Sequence, residues 1–137
     1  TGNRAVLLTG EMDLRVGGDD NILAVKAAPH GLLFPHAKGI VHHGGIGTVA
    51  EALRSGAPQL IIPFSVDQPF WAHRLHNLGY ALRPLREKAL TAAELANAFK
   101  EMEHPENTRN AALIHERLIH EDGCGAAAAF IERRVNQ

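Results

Sequence analysis

Gly44, Gly45 and Gly47 fall where the apolar run Gly39-Ile-Val-His-His43 gives way to residues at helical spacing. Glycines at the opening of a helix let backbone N–H groups approach an anion closely, and the helix dipole favours negative charge there. Thr48 sits in the first turn, where its hydroxyl can donate to a phosphate oxygen. His43, last on its strand, can donate a ring N–H to the same group. Together these residues form a diphosphate cradle without a lysine. The stretch lacks the Gly-Lys-Ser/Thr of a P-loop, so nucleotide hydrolysis is not expected. It also departs from the Gly-x-Gly-x-x-Gly dinucleotide pattern, because Gly45-Ile46-Gly47 is followed by Ala50.

Glu51 lies one turn beyond Gly47, on the side of the turn, where a carboxylate suits two ribose hydroxyls. Asp67 and Gln68 follow Pro63-Phe-Ser-Val and precede Pro69, which places an acid and an amide on a rigid loop. Such a pair accepts from and donates to sugar hydroxyls. Each feature also has a plainer reading: a turn made for close packing, a solvated helix glutamate, an aspartate capping the Pro69 helix. His42 and His43 are adjacent on a strand and face opposite ways, so one ligand can take only one of them. His73 and His76 are three apart on a helix, a spacing that can chelate zinc. No third ligand is evident, and no metal site is expected. His104, His115 and His120 fall in polar C-terminal segments and read as solvated.

These residues need a scaffold, and the pattern along the chain describes one. Ala5–Thr9 reads as a short buried strand stopped by Gly10, residues 11–21 as a polar loop, and Asn21–Val25 as a second strand. Pro29 opposes helix just before it, and a turn over Gly31–Ala37 leads to a third strand, Gly39–His43. A helix from Ile46 carries Val49, Ala50, Leu53 and Ala57 at helical spacing, with Gly56 placed as its C-terminal cap. Gln59–Ile62 is the fourth strand, Pro69–Leu78 a helix, and Tyr80–Arg83 a short fifth strand. Phe70 and Trp71 are expected to pack the Pro69 helix on the sheet, with Phe70 also able to line a cleft. Thr91-Ala-Ala-Glu94 is a capping box opening a helix to about Glu103. Pro105 starts another helix, and Gly123–Gly125 separates it from a last one. Leu113, Ile114, Leu118, Phe130 and Ile131 read as core stripes. Alternating strands and helices with short connections predict an α/β fold, a mainly parallel Rossmann-like sheet flanked by helices. Ligands of such sheets sit beyond the carboxyl ends of the strands, where the loops after His43 and Ile62 both fall.

At 137 residues this is one domain, 1–137, short for a complete two-substrate enzyme. Fourteen basic against fifteen acidic side chains leave no electrostatic footprint for nucleic acid or an anionic membrane. The lone Cys124 excludes a disulfide framework and fits a reducing, cytoplasmic setting. No apolar run approaches the roughly 18 residues of a membrane span, and residues 1–4 carry no signal-peptide pattern.

Four blocks carry a resemblance: Pro29-His-Gly-Leu-Leu-Phe-Pro, His42-His-Gly-Gly-Ile-Gly-Thr, Glu51-Ala-Leu-Arg-Ser-Gly-Ala-Pro and Pro63-Phe-Ser-Val-Asp-Gln-Pro-Phe-Trp-Ala. Over residues 4 to 103 the chain resembles the C-terminal, donor-binding half of GT-B glycosyltransferases, nearest the UDP-glucosyltransferases of sterols, lipids and natural products. The resemblance implies that His43, Thr48 and the backbone of Gly45 and Gly47 contact the donor diphosphate. It implies that Glu51 binds the ribose, that Asp67 and Gln68 hold the transferred sugar, and that His30 lies near ribose and base. Ala27 stands where plant relatives stack a tryptophan on uracil, so base recognition rests on backbone amides. A UDP-sugar is the expected donor and a hydroxyl of a small hydrophobic or lipid acceptor the expected recipient. No cofactor or metal is required, since the helix dipole and neutral donors can fill that role. The resemblance places the catalytic base and acceptor pocket in an N-terminal domain absent from these residues, so this chain alone is expected to be inactive. It also implies a strand before Ala5, next to both the Ala5 and Gly39 strands. The chain therefore reads as a fragment whose unpaired edges favour self-association, which light scattering would report as species larger than a monomer. Two other readings remain: a stand-alone catalytic subunit pairing with a separate acceptor subunit, as in split N-acetylglucosaminyltransferases, and a non-catalytic nucleotide-binding module.

Overall fold

The computed structural model describes residues 2–12 and 20–135. The glycine-rich part of the loop expected over residues 11–21 lies outside the described residues. Among the described residues four strands, β1 (Ala5–Leu8), β2 (Ile22–Val25), β3 (Ile40–His42) and β4 (Gln59–Ile61), are joined by six α-helices. These are α1 (His30–Leu33), α2 (Ile46–Ser55), α3 (Gln68–Asn77), α4 (Ala92–Met102), α5 (Pro105–Leu118) and α6 (Gly123–Val135). Short 3-10 turns at Phe34–His36 and Glu87–Ala89 complete the order. The expected turn over Gly31–Ala37 is thus one helical turn followed by a 3-10 turn.

All pairing is parallel, but the strands form two ladders rather than one sheet. β1 pairs with β2, Ala5 opposite Ile22 through Leu8 opposite Val25. β3 pairs with β4, Ile40 opposite Gln59 through His42 opposite Ile61. The fifth strand expected at Tyr80–Arg83 does not form. Leu82 donates to Gln59 O at 2.9 Å and Leu85 to Ile61 O at 3.3 Å, so the segment follows the free edge of β4. Pro84, which has no N–H, interrupts any regular ladder there.

β4 is the centre of the core, and the period-2 alternation of a strand divides its contacts. Ile61 packs with Val49, Ala72, Leu75 and Ala81, and Trp71 covers that cluster. Leu60 and Ile62 face the other way, onto Leu82, Ala98 and Met102. Ile40 joins Phe34, Ala52 and Ala57 in a third cluster beneath α1 and α2. Two expectations fail on burial. β1 is not a buried strand: Val6 is 46% and Leu23 on its partner 60% exposed, because nothing described covers that ladder. Leu113, Phe130 and Ile131 are exposed rather than core stripes: on α5 the buried residue is Ala111, and α6 buries none. Phe130 instead lies under the Arg134 guanidinium, 5.5 Å from its ring centre.

The helix ends follow local chemistry. Gly56 takes φ 74° at the C-terminus of α2, a left-handed value that favours glycine. Both halves of the Thr91/Glu94 capping box are present, with Glu94 N donating to Thr91 Oγ1 at 3.1 Å. α6 begins at Gly123, so the glycines open that helix rather than precede it, and Asp122 accepts from Gly125 N at 2.8 Å. His115 is not solvated: its Nδ1 meets the Arg54 carbonyl and its Cβ packs against Gly56, locking α5 onto the end of α2. No helix among the described residues is long and apolar enough to cross a membrane.

Candidate functional site

β3 delivers His42 and His43 to opposite faces, as alternation requires. His43 is exposed, and its ring folds over the turn that follows: a Cβ built on Gly45 would lie 2.6 Å from His43 Nε2. Gly44 takes φ 93°, and a Cβ there would lie 2.7 Å from Ile61 Cγ2. Gly45 is the N-terminal cap of α2 in an extended conformation, with no side chain capping the helix. The first intrahelical bond runs from Val49 N to Gly45 O at 2.9 Å, so the N–H groups of Ile46, Gly47 and Thr48 precede the ladder. A Cβ on Gly47 would meet no heavy atom within 4 Å. Gly44 therefore serves the fold, whereas Gly47, in the first turn of α2, has open space where a side chain would stand.

The remaining expected residues surround this turn unevenly. Glu51, on the second turn of α2, approaches α1: a Cβ on Gly31 would lie 3.2 Å from its Oε2. It also pairs with Arg54 at 3.7 Å, so the glutamate is partly engaged within its own helix. His30 begins α1 and stacks on Phe34 with ring centres 4.6 Å apart. Glu51 thus lies against α1 at Gly31, the residue next to His30.

On the other side, Gln68 Cβ would lie 3.5 Å from a Cβ on Gly44, which brings the two loops together. Gln68 Oε1 accepts from Phe64 N at 2.8 Å and Ser65 N at 3.2 Å. The amide oxygen is thereby used by the fold, and Gln68 offers NH2 donors rather than the mixed chemistry expected of it. This clamp shapes a loop in which Val66 takes φ 58°, a strained value for a β-branched residue. Asp67 stands at the N-cap of α3, but its side chain does not cap the helix; its Oδ2 accepts from Trp71 Nε1 at 2.9 Å. Trp71 in turn contacts the core cluster, while Phe70 is exposed and edge-on to it. Among the described residues no three His, Cys, Asp or Glu side chains are grouped to hold a metal ion. His73 and His76 are both exposed, and His76 Nδ1 lies 3.3 Å from Ala81 O.

Sequence reasoning left one feature of the site without a role. His42 points inward, where Gly44 N donates to its Nδ1 at 3.1 Å and its Nε2 meets Gln59 Oε1 at 2.8 Å. Burial lowers its pKa to about 4, with neighbouring His43 and His30 adding repulsion against the favourable Gln59 contact. The signal was present: Gln59 is a polar residue opening an otherwise apolar strand.

This histidine makes stability depend on pH with a definite sign. Between about pH 6.5 and 4 the unfolded chain binds the His42 proton and the folded chain does not. Stability from this group is therefore complete above pH 7 and falls by roughly 3 kcal/mol as the pH drops through that window. Urea unfolding of wild type and His42→Phe from pH 7 to pH 4 should show the two curves converging. A constant gap between them would refute the buried neutral ring.

Structural comparison places the fold in a class. A glycosyltransferase of kitacinnamycin superposes with a TM-score of 0.84 at 28% identity, over 95% of this chain and 34% of that one. The glycosyltransferase VinC, solved in complex with dTDP, gives 0.77 at 31% identity, over 84% of this chain and 29% of its own. The fold is that of GT-B glycosyltransferases. Residues 12–122 match the family model described as erythromycin biosynthesis protein CIII-like, C-terminal domain, and the chain belongs to this family. Sequence relatives agree. Sterol 3-beta-glucosyltransferase UGT80B1 of Arabidopsis thaliana is 34% identical over 116 residues, 85% of this chain and 19% of that protein. O-mycaminosyltylonolide 6-deoxyallosyltransferase of Streptomyces fradiae is 35% identical over 130 residues, 94% of this chain and 30% of that protein. The chain thus spans less than a third of the length of these relatives.

Proposed function

We propose that this chain is the donor-binding part of an inverting glycosyltransferase that uses a nucleotide diphosphate sugar, with UDP-hexose the expected donor. The carrying observation is the turn after β3, where the His43 ring folds against Gly45 at the amino end of α2 and Gly47 in the first turn is left open. Thr48 and the N–H groups of residues 46–48 would receive the diphosphate. Glu51 and His30 lie on the side suited to ribose and base. Gln68 lies on the other side, where its NH2 group would meet sugar hydroxyls, with Asp67 beside it.

In the intact enzyme the acceptor hydroxyl attacks the anomeric carbon as the bond from that carbon to the diphosphate oxygen breaks. Negative charge grows on the departing phosphate, and His43, Thr48 and the helix amino end stabilise it where it develops. The base that removes the acceptor proton is expected in a further, acceptor-binding domain, as is the acceptor pocket. A small hydrophobic or lipid alcohol fits the relatives, one of which is named for a sterol and another for a macrolide.

Isothermal titration of the folded chain with UDP, dTDP and GDP tests the reading. One nucleotide should bind, and His43→Ala should weaken it at least tenfold, about 1.4 kcal/mol. Asp67→Ala should leave nucleotide binding intact and weaken only the sugar-bearing donor. Unchanged affinity in a folded His43→Ala chain would remove the basis of the assignment.

A further inference from the structure

We propose that His42 and Gln59 form a positioning relay that holds the glycine turn from behind, on the side of the strand away from the ligand. The proposal rests on the donor-binding reading for its consequence, though not for its geometry.

The hydrogen bonds run in one sense only. Gly44 N–H donates to His42 Nδ1 at 3.1 Å, so a neutral ring must carry its proton on Nε2. That N–H donates to Gln59 Oε1 at 2.8 Å, which orients the amide. Gln59 Nε2 is then left to donate to the Tyr80 carbonyl at 3.2 Å. Each atom has a single allowed role, and the chain of bonds ties the turn to the segment that flanks β4. Gln59 is 1% exposed at the start of a buried strand. Burying an amide is costly unless its bonds are made, and an apolar side chain of equal size would fill the same space. What the amide adds is direction: it sets the His42 ring, and the ring sets Gly44 at φ 93°, one residue before the cap of α2. A proton added at Nδ1 would confront the Gly44 N–H with a second donor, so the relay exists only with a neutral ring. The charged or titratable groups acting on that ring are His43 and His30.

The test uses the 137-residue chain, Gln59→Met as a near-isosteric break, and Gln59→Glu, whose buried, protonated carboxyl accepts from Nε2–H and donates its O–H to the Tyr80 carbonyl as the amide does. Nitrogen NMR without nucleotide should show wild-type His42 as the Nε2–H tautomer with a protected Gly44 amide. In Gln59→Met the tautomers should mix, and Gly44 exchange should rise about tenfold. UDP binding should weaken by about fivefold while uridine binding changes less than about twofold, because only the diphosphate needs the turn. Gln59→Glu should recover most of both effects, which loss of packing alone would not explain. An Nδ1–H tautomer in the wild type would overturn the relay. So would a folded Gln59→Met chain with unchanged Gly44 exchange and an unchanged UDP-to-uridine ratio. If Gln59→Met does not fold, the wild-type tautomer and Gln59→Glu decide between the same two results. If the NMR effects appear but the wild type binds neither UDP nor uridine, the relay stands and the donor reading falls.

Discussion

Gly47→Val should weaken UDP binding by about a hundredfold, close to 2.7 kcal/mol, while the chain stays folded. A Cβ at this position meets nothing within 4 Å, so a side chain leaves the helix into open space. Gly47 is also inside α2, where glycine is a poorer helix former than valine by a few tenths of a kcal/mol. Thermal unfolding should therefore move by no more than a few degrees, and upward if it moves. The ligand suffers because valine would stand over the N–H groups of residues 46–48, which must come within about 3 Å of phosphate oxygens to bind them. Calorimetry and a thermal melt on the same sample separate the two effects. Tight UDP binding by the valine variant would mean that the diphosphate does not approach this face of the helix.

Gly44→Ala should show the opposite pattern, a loss of roughly 2–5 kcal/mol in folding stability, read from urea unfolding at pH 7. Two costs add. At φ 93° an L-residue is strained by about 1–2 kcal/mol, and a methyl group placed 2.7 Å from Ile61 Cγ2 must displace it. Ile61 is fully buried among Val49, Ala72, Leu75 and Ala81 and cannot yield cheaply; overpacking of this kind costs about 1–3 kcal/mol. Against the 5–15 kcal/mol that folds an ordinary domain, such a loss is large. A change under about 1 kcal/mol would show that the turn can relax. The glycines three residues apart are thus distinguishable by experiment: Gly44→Ala is expected to cost folding, and Gly47→Val to cost nucleotide binding.

Much of this was legible in the residues. The helix after the glycine turn, its Gly56 cap and the Thr91 capping box are set by backbone freedom and local hydrogen bonds, which depend on few neighbours. The opposite placement of His42 and His43 follows from strand alternation alone. The convergence of His43 with Gly45, and of Glu51 with α1, needed only short stretches of regular structure to carry them there.

What was misread depended on contacts distant in sequence. Val6 and Leu23 look like core residues, and in a parallel strand they ordinarily are. They are exposed because no described element packs on the β1–β2 ladder, a fact about neighbours rather than about these side chains. Tyr80–Arg83 has strand composition yet only follows β4, because Pro84 denies it a donor. His115 looked solvated until α5 set it against the Arg54 carbonyl, 61 residues away.

The sequence by itself determined the local features on which the proposed chemistry rests: glycines where a strand meets a helix, a histidine at the strand end and polar side chains on the neighbouring helix and loop. Those features are local, since turn conformation and helix polarity depend on adjacent residues. Only the tertiary structure decided how each polar group is employed. It spends the Gln68 oxygen and one Asp67 oxygen on the fold, leaves Gly47 open, and places Gln59 behind His42. Hydrogen-bond partners and burial are properties of packed neighbours, and folding brings those neighbours together from separate parts of the chain.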